Sequence, residues 1–419
     1  MKKTALVLTL ILALLASLMV GVQPAESSSK TIVVPDDYST IQEAIDNAAD
    51  GDRVFVKRGT YHESVTVEKT LALTGESNQE TVIIGEQVVI SQRGAIRVSA
   101  DNVAISGFAI KDSDVGVLIE GNERVPFECR IIENNIVNNG AGIVSRGDTV
   151  YISGNNVAGS GGYGIYVSSS NTTVSGNRIV ENGYAGIIAD GCINVTVSGN
   201  TVTGNGGNDN NGIEVRGGLF VRWNGPFYIY ENNVAGNDGY GIQFGEGCHN
   251  STVYKNSIEG NSVGINLQNF VIGEGNEGIG LGNSVFQNNL VDNVQQVIVE
   301  KEYRYAGNSP DYAFVNGTDV VSWDNGTLGN YWSDYKTKYS NASEVDTSGL
   351  WETAYEIDES NTDRYPLVRP VQISAIPLLT IILIVAAVAT AAFAGAGLLL
   401  YHRNRRRATG TDMRKTAQP

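Results

Sequence analysis

The chain has 419 residues, 49 of them glycine, only 18% charged residues and a formal net charge of −16. That length suits one large solenoid or two ordinary domains, and glycine at this level with few charges argues against a helical bundle. An acidic surface repels nucleic acid and anionic lipid, so neither is an expected electrostatic partner.

Residues 1–25 read as a secretory signal: Lys2 and Lys3 precede an uncharged apolar run from Ala5 to Val22, with cleavage expected near Ala25. Residues 26–38 are a polar linker and a first strand, Thr31–Val34. Next, Ser39-Thr40-Ile41-Gln42-Glu43 makes overlapping capping boxes. Ile41, Ala44, Ile45 and Ala48 fall at helical spacing and Gly51 ends the element. The pattern predicts a short amphipathic helix lying over the open apolar end of a solenoid. Strands follow at Arg53–Val56, Val65–Val67 and Leu71–Leu73, with a turn at Arg58–Tyr61.

The stretch TIQEAIDNAADGDRVFVKRGTYHESVTVEKTLALTGE resembles the opening of pectin-lyase-like right-handed parallel β-helices. Within them it is most similar to the NosD-like and carbohydrate-binding/sugar-hydrolysis (CASH) repeat proteins. The resemblance covers residues 31–370. It implies the fold but no single activity, because that superfamily includes esterases, lyases, epimerases, hydrolases and binders without catalysis.

The β-helix with its N-terminal cap is expected over residues 39–295, and the coils of 96–290 fit it by residue pattern alone. An aliphatic–x–x–Asn–x–aliphatic phrase recurs at Asn134, Asn155, Asn177, Asn200, Asn232, Asn256 and Asn288. A Gly-aliphatic phrase recurs at Gly116, Gly142, Gly164, Gly186, Gly212, Gly241 and Gly264, at spacings of 22 to 29 residues. Self-similarity at that period means stacked coils. The asparagines form one column, expected to bond from coil to coil and to take the left-handed conformation of a sharp bend. After each glycine Ile143, Ile165, Ile187, Ile213, Ile242 and Ile265 point inward, as do Val167, Ala189, Val215, Phe244 and Leu267 two places on.

Residues 296–370 hold the final coils and a C-terminal cap. The segments Gly329-Asn330-Tyr331-Trp332-Ser333-Asp334-Tyr335, Ala354-Tyr355-Glu356-Ile357 and Asn361-Thr362-Asp363-Arg364-Tyr365-Pro366-Leu367 resemble the C-terminal block of archaeal NosD-like surface proteins. A calcium-type Asp/Gly-rich loop is implied between such pieces, but here KTKYSNASEVDTSGLW offers only Glu344 and Asp346. Tyr331, Trp332, Tyr335 and Trp351 are expected to cover the last coil. Residues 375–401 are an uncharged stretch long enough for one transmembrane helix, and the basic tail 402–419 puts the C-terminus in the cytoplasm.

Three kinds of chemistry could use such a scaffold. Copper, implied by the NosD resemblance, needs Met, Cys or His. The methionines are Met1, Met19 and Met413, in the signal and tail, which leaves His62, His249 and the dispersed Cys129, Cys192 and Cys248. The cysteines read as buried apolar thiols. Esterase blocks downstream of GTYHE are not recognisable. For sugars, an outward stripe beside the inward isoleucines carries Tyr166, Asp190, Glu214 and Arg216, flanked by a loop with Trp223. These five are the carbohydrate-binding candidates; ordinary solvated strand face is the competing reading. Asn171, Asn194, Asn250, Asn316, Asn325 and Asn341 are glycosylation candidates.

The sequence therefore predicts an all-β, single-stranded right-handed parallel β-helix with an N-terminal capping helix, an aromatic C-terminal cap and one C-terminal transmembrane helix. It is expected to stand at the cell surface as a carbohydrate-binding or structural scaffold without catalysis, its partner a glycan or cell-envelope polymer. The rival is a polysaccharide-active lyase, epimerase or hydrolase; NosD-like copper handling comes third. No catalytic residue, metal ligand or cofactor is assigned.

Overall fold

A computed structural model describes residues 29–85, 94–121, 125–206, 219–222, 225–245, 248–270, 282–302 and 321–373. The expected signal, transmembrane helix and tail lie outside these residues. Among the described residues, no helix is long and apolar enough to cross a membrane.

Each coil gives one strand to each of three parallel sheets. Among the described residues the first and second sheets contain 11 strands each and the third contains 10. Pairing is in register from coil to coil, so like residues stack. Ile152, Val174 and Val197 align in the first sheet, Ile136, Val157 and Ile179 in the second, and Ile143, Ile165 and Ile187 in the third. All nine are fully buried and belong to one continuous core. The recurring glycine has a steric cause. A Cβ on Gly164 would lie 2.6 Å from the Gly186 carbonyl oxygen, and one on Gly142 would lie 2.4 Å from that of Gly164. Core side chains crowd the same spot, Val157 Cγ1 at 2.3 Å for Gly142 and Ile179 Cγ2 at 2.6 Å for Gly164, so no side chain fits there.

The front end is closed by helix Ile41–Asn47, which buries Ile41, Ala44 and Ile45. Thr40 accepts the Glu43 backbone N–H at 3.1 Å, and the Glu63 carboxylate accepts those of Ile41 and Gln42 at 3.0 Å each. These bonds satisfy orphan donors and place negative charge at the positive end of the helix. At the other end the Lys69 ammonium donates to the carbonyls of Ile45, Asp46 and Ala48.

The asparagine column is buried and continuous. At Asn200, Nδ2 donates to the Val174 carbonyl and to Asn232 Oδ1, both at 2.9 Å. Its Oδ1 accepts the Asn177 backbone N–H at 2.9 Å and Asn177 Nδ2 at 3.0 Å. Phe108, which starts the column, donates its backbone N–H to Asn134 Oδ1 at 3.1 Å. The column asparagines do not take the left-handed conformation expected of them. Positive φ falls one residue earlier, at Gly107, Glu133, Gly154, Gly176, Gly199, Glu231, Lys255 and Gln287, between 54° and 78°. The preceding residue absorbs the bend, which leaves the asparagine free to aim its amide along the stack.

A second column runs five residues behind the first. Asn182, Asn205, Asn237, Asn261 and Asn293 bond successively, Nδ2 to Oδ1, at 2.9 to 3.0 Å. Ser113 and Ser160 hold the same place in earlier coils and donate their backbone N–H groups to Asn139 and Asn182. Residues before this column are again left-handed: Asp112, Asn138, Gly159, Glu181, Gly204, Gly236, Gly260 and Asp292.

The third sheet corrects one register. The strand beside Ile187–Asp190 is Leu219–Arg222, with Ile187 opposite Leu219 and Asp190 opposite Arg222. Val221 is buried at the strand place expected of Val215. Gly217-Gly218-Leu219-Phe220-Val221 repeats the Gly–apolar–x–apolar pattern of Gly212-Ile213-Glu214-Val215, and the longer coil of 32 residues from Asn200 to Asn232 accommodates both.

At the far end Asn330 extends the first column, and its backbone N–H donates to Asp363 Oδ2 at 2.6 Å. Trp332 Nε1 also donates to Asp363 Oδ2, at 2.9 Å, and Trp332 stacks on Tyr355 with centroids 4.0 Å apart. Tyr335 stacks on Trp351 at 4.8 Å. Trp323, Trp332 and Tyr335 are buried over the last coil. Burial pushes the Asp363 carboxyl up to about 6 from 3.8, against the hydrogen bonds it accepts. Burial acts the same way on neighbouring Asp324, but there the Arg364 guanidinium, bonded at 2.9 and 2.6 Å, prevails and holds the carboxyl below its usual range.

Two measurements check these assignments. Asn200→Ala strands the Asn177 backbone N–H and the Val174 carbonyl in a dry interior. Urea denaturation should show a loss of about 2–4 kcal/mol, against under about 0.5 kcal/mol for an exposed polar surface change such as Asn341→Ala. Because Asp363 binds its proton more tightly folded than unfolded, its contribution is fully favourable below pH 4 and is lost as pH rises through 6. The stability of the wild type relative to Asp363→Asn should therefore increase from pH 7 to pH 4.5, by up to about 3 kcal/mol; a flat difference contradicts the assignment.

Candidate functional site

Three outward strand faces surround the core, and the third sheet has the most unusual one. Its outward column runs Leu118, Val144, Tyr166, Ile188, Phe220, Gln243 and Asn266, one residue per coil. Outward strand positions are ordinarily polar and wet. Here Leu118, Val144 and Ile188 are buried, as are Gln243 and Asn266. Among the described residues, neither side-chain polar atom of Gln243 has a hydrogen-bond partner.

Tyr166 sits at the centre of this column. Its ring lies 5.4 Å from that of Tyr163, which meets Tyr184 edge-on at 5.6 Å. The three rings pack around Ala185 and Ile188. The Tyr166 hydroxyl donates to Asp190 Oδ2 at 3.3 Å. The result is a half-buried aromatic surface with a carboxylate at its edge, a combination that can hold a sugar ring against its apolar face and accept its hydroxyls. Further along, Arg146 pairs with Glu120 at 2.5 Å.

Of the five residues singled out in the sequence, the structure brings Tyr166 and Asp190 together. Glu214, Arg216 and Trp223 lie outside the described residues, and the strand place assigned to Glu214 and Arg216 belongs to Phe220 and Arg222. Tyr163 and Tyr184 were missed. Their signal is present: a tyrosine stands just before the marker glycine in Tyr163-Gly164 and Tyr184-Ala185-Gly186.

The geometry bears on catalysis. Glu120 and Asp190 share one outward row and are separated by three coils, which is about 14 Å at parallel-strand spacing. Paired carboxylates that cleave glycosides stand about 5–9.5 Å apart. Another aromatic row, Tyr230, Tyr254 and Phe286 on the first sheet, stacks ring on ring at 5.0 and 5.7 Å. Both faces of Tyr254 are thereby covered, as is one face each of Tyr230 and Phe286.

The three cysteines are free and buried. Burial pushes the Cys129 thiol up to about 11 and the Cys192 thiol up to about 12, and it raises Cys248 as well. Cys248 Sγ lies 3.2 Å from the Val221 carbonyl oxygen inside the core.

A family model described as "Periplasmic copper-binding protein (NosD)" matches residues 45–219 and 207–337. A "Cell surface glycoprotein" of Methanothermus fervidus is 32% identical over 142 residues, 33% of this chain. The chain spans only 21% of that relative's length. Among solved structures, pectate lyase Pel9A aligns over 84% of this chain and 91% of its own, at 14% identity and a TM-score of 0.48. The A-module of the Azotobacter vinelandii mannuronan C-5 epimerase AlgE6 aligns over 63% and 91%, at 17% identity and a TM-score of 0.40. At such scores the two say nothing about chemistry.

Among the described residues, the copper in the family description finds no fitting donor set. Copper takes thiolate, thioether or imidazole. The described thiols point into the core and are held protonated, while His62 and His249 lie on coils at opposite ends of the solenoid. Among the described residues no three His, Cys, Asp or Glu side chains converge. The thiol assignment is checked with a disulfide reagent at pH 8. All three cysteines should stay unlabelled in the native protein and react once urea unfolds it; rapid native labelling contradicts their burial.

Proposed function

The chain belongs to the NosD family, and we propose that it acts at the cell surface as a β-helical scaffold that binds a carbohydrate polymer without cleaving it. The observation that carries this reading is the Tyr163–Tyr166–Tyr184 cluster with Asp190 at its edge, on a sheet face that is apolar where solvated polar residues are the rule. Extended sugar chains suit such a face, because the coils repeat along one axis and offer the same strand positions at each step. The carboxylate spacing along this face supports binding over hydrolysis. The surface location draws on the described name of the Methanothermus relative and on the apolar stretches expected at 1–25 and 375–401.

The test is a glycan array with the purified full chain, followed by titration calorimetry on any hit and product analysis of the same mixtures. Binding should fall at least about tenfold in Tyr166→Ala and Tyr184→Ala, the loss of one aromatic contact worth about 1.4 kcal/mol. Asp190→Asn should weaken binding less, and no shortened or unsaturated product should form. Binding that survives both tyrosine substitutions removes this face from the account. Product formation abolished by Asp190→Asn replaces the binder with the enzyme.

A further inference from the structure

Three of the sequons share one place in the coil. Asn171, Asn194 and Asn250 each stand at the bend between a third-sheet strand and the next first-sheet strand, with φ of 55°, 58° and 51°. All three are exposed, and the residues after them, Thr172, Val195 and Ser251, are buried. The sequon hydroxyls Thr173, Thr196 and Thr252 then face outward again, half-exposed, in one first-sheet row. Strand alternation thus puts the amide and the hydroxyl of each sequon on the same outer edge.

This edge is distinct from the two buried amide columns. There the asparagine amides are consumed by the stack; here they lie in solvent. Asn194 Nδ2 donates to Asn171 Oδ1 at 2.8 Å, and Asn171 Nδ2 reaches Asp148 Oδ1 at 3.3 Å. Between Asn194 and Asn250 one coil intervenes, and it carries Pro226, with no side-chain amide, at the matching place in the bend. By contrast Asn325 lies in the C-terminal cap, where its Oδ1 accepts from Thr327 and Leu328.

We propose that this bend is the glycan-bearing edge of the solenoid, and that Asn171 and Asn194 form a mutually exclusive pair while Asn250 is modified independently. The donor is a lipid-linked oligosaccharyl phosphate, and a membrane transferase catalyses the step. Asn Nδ2 forms a bond to the anomeric carbon, the bond from that carbon to the phosphate oxygen breaks with its electron pair leaving on the lipid phosphate, and one amide proton is lost to base. The exclusion is steric. Asn171 and Asn194 occupy adjacent coils, about 4.8 Å apart, and a hexose with its hydroxyls is wider than that spacing. Asn250, two coils from Asn194, has twice the room.

The experiment produces the full chain in a host that exports and N-glycosylates its surface proteins. Tryptic glycopeptides, separated by cleavage at Arg178, report occupancy at each position, and the intact mass of an N250Q/N316Q/N325Q/N341Q chain reports how many glycans the pair carries. One glycan per chain is expected on the pair, with Asn250 occupied in the parent. Thr173→Ala, which removes the first sequon but keeps Asn171 at its bend, should roughly double occupancy at Asn194, and Thr196→Ala should do the same for Asn171. A chain carrying both glycans overturns the exclusion. A bare Asn171, Asn194 and Asn250, whether or not Asn325 or Asn341 is modified, overturns the edge itself. Neither result depends on whether the third sheet binds a glycan ligand.

Discussion

The structure depends on a buried primary amide that serves two coils at once. A solenoid must turn its backbone sharply at every bend, and a bend inside the core leaves N–H and C=O groups with no ladder partner. The asparagine side chain supplies both missing partners: its oxygen takes the backbone N–H of the preceding coil, and its nitrogen reaches a carbonyl there. The same two atoms link to the neighbouring asparagines, so the rungs polarise one another as a chain. Such a chain must begin and end on a group that completes it. Phe108 begins it with a backbone donor, and Asp363 ends it with a carboxylate.

Much of this was legible because the period of a solenoid is written into the residues that stack. Asn134 to Asn288 announce the first column, and the marker glycines announce the close backbone approach at Gly142 and Gly164. The second column was equally present, five residues behind the first in NRIVEN and NSIEGN, but Ser113 and Ser160 interrupt it and its asparagines resemble ordinary turn residues. The left-handed position was misassigned because Asn tolerates positive φ better than Glu or Lys; what the bend requires is an asparagine whose amide is correctly aimed, and Glu133, Glu231 and Lys255 bear the strain beside it. The coil at 200–232 was misread because two Gly–apolar phrases compete for one strand place, and pattern alone does not choose between them. The site was half legible: Tyr166 and Asp190 follow from alternation, while Tyr163 and Tyr184 sit at the start of their coils, outside the alternating stretch.

The division of labour among the faces follows from the same economy. Two bends are filled by buried amides and are closed to chemistry. The third bend has no continuous amide column among the described residues: Asn283 is buried and bonds to the coil before it, while Asn171, Asn194 and Asn250 stay in water. Of the sheets, the first carries rings stacked on one another, the second a polar row including Asn135, Asn156 and Arg178 that bonds within itself, and the third an apolar face with three tyrosines. The scaffold thus leaves the half-buried tyrosine cluster for recognition and one exposed edge for modification.

Hydrogen–deuterium exchange of the native chain, read by mass spectrometry, tests the central role of the amide columns most directly. The backbone amides of Asn177, Asn200, Asn232 and Asn256, each bonded to a buried side-chain oxygen one coil on, should be among the slowest in the protein. Those at the bend of Asn171 and Asn194 should exchange much faster. Equal protection at the two kinds of bend, or earlier exchange at the asparagine columns, contradicts the claim that the buried amides hold the coils together.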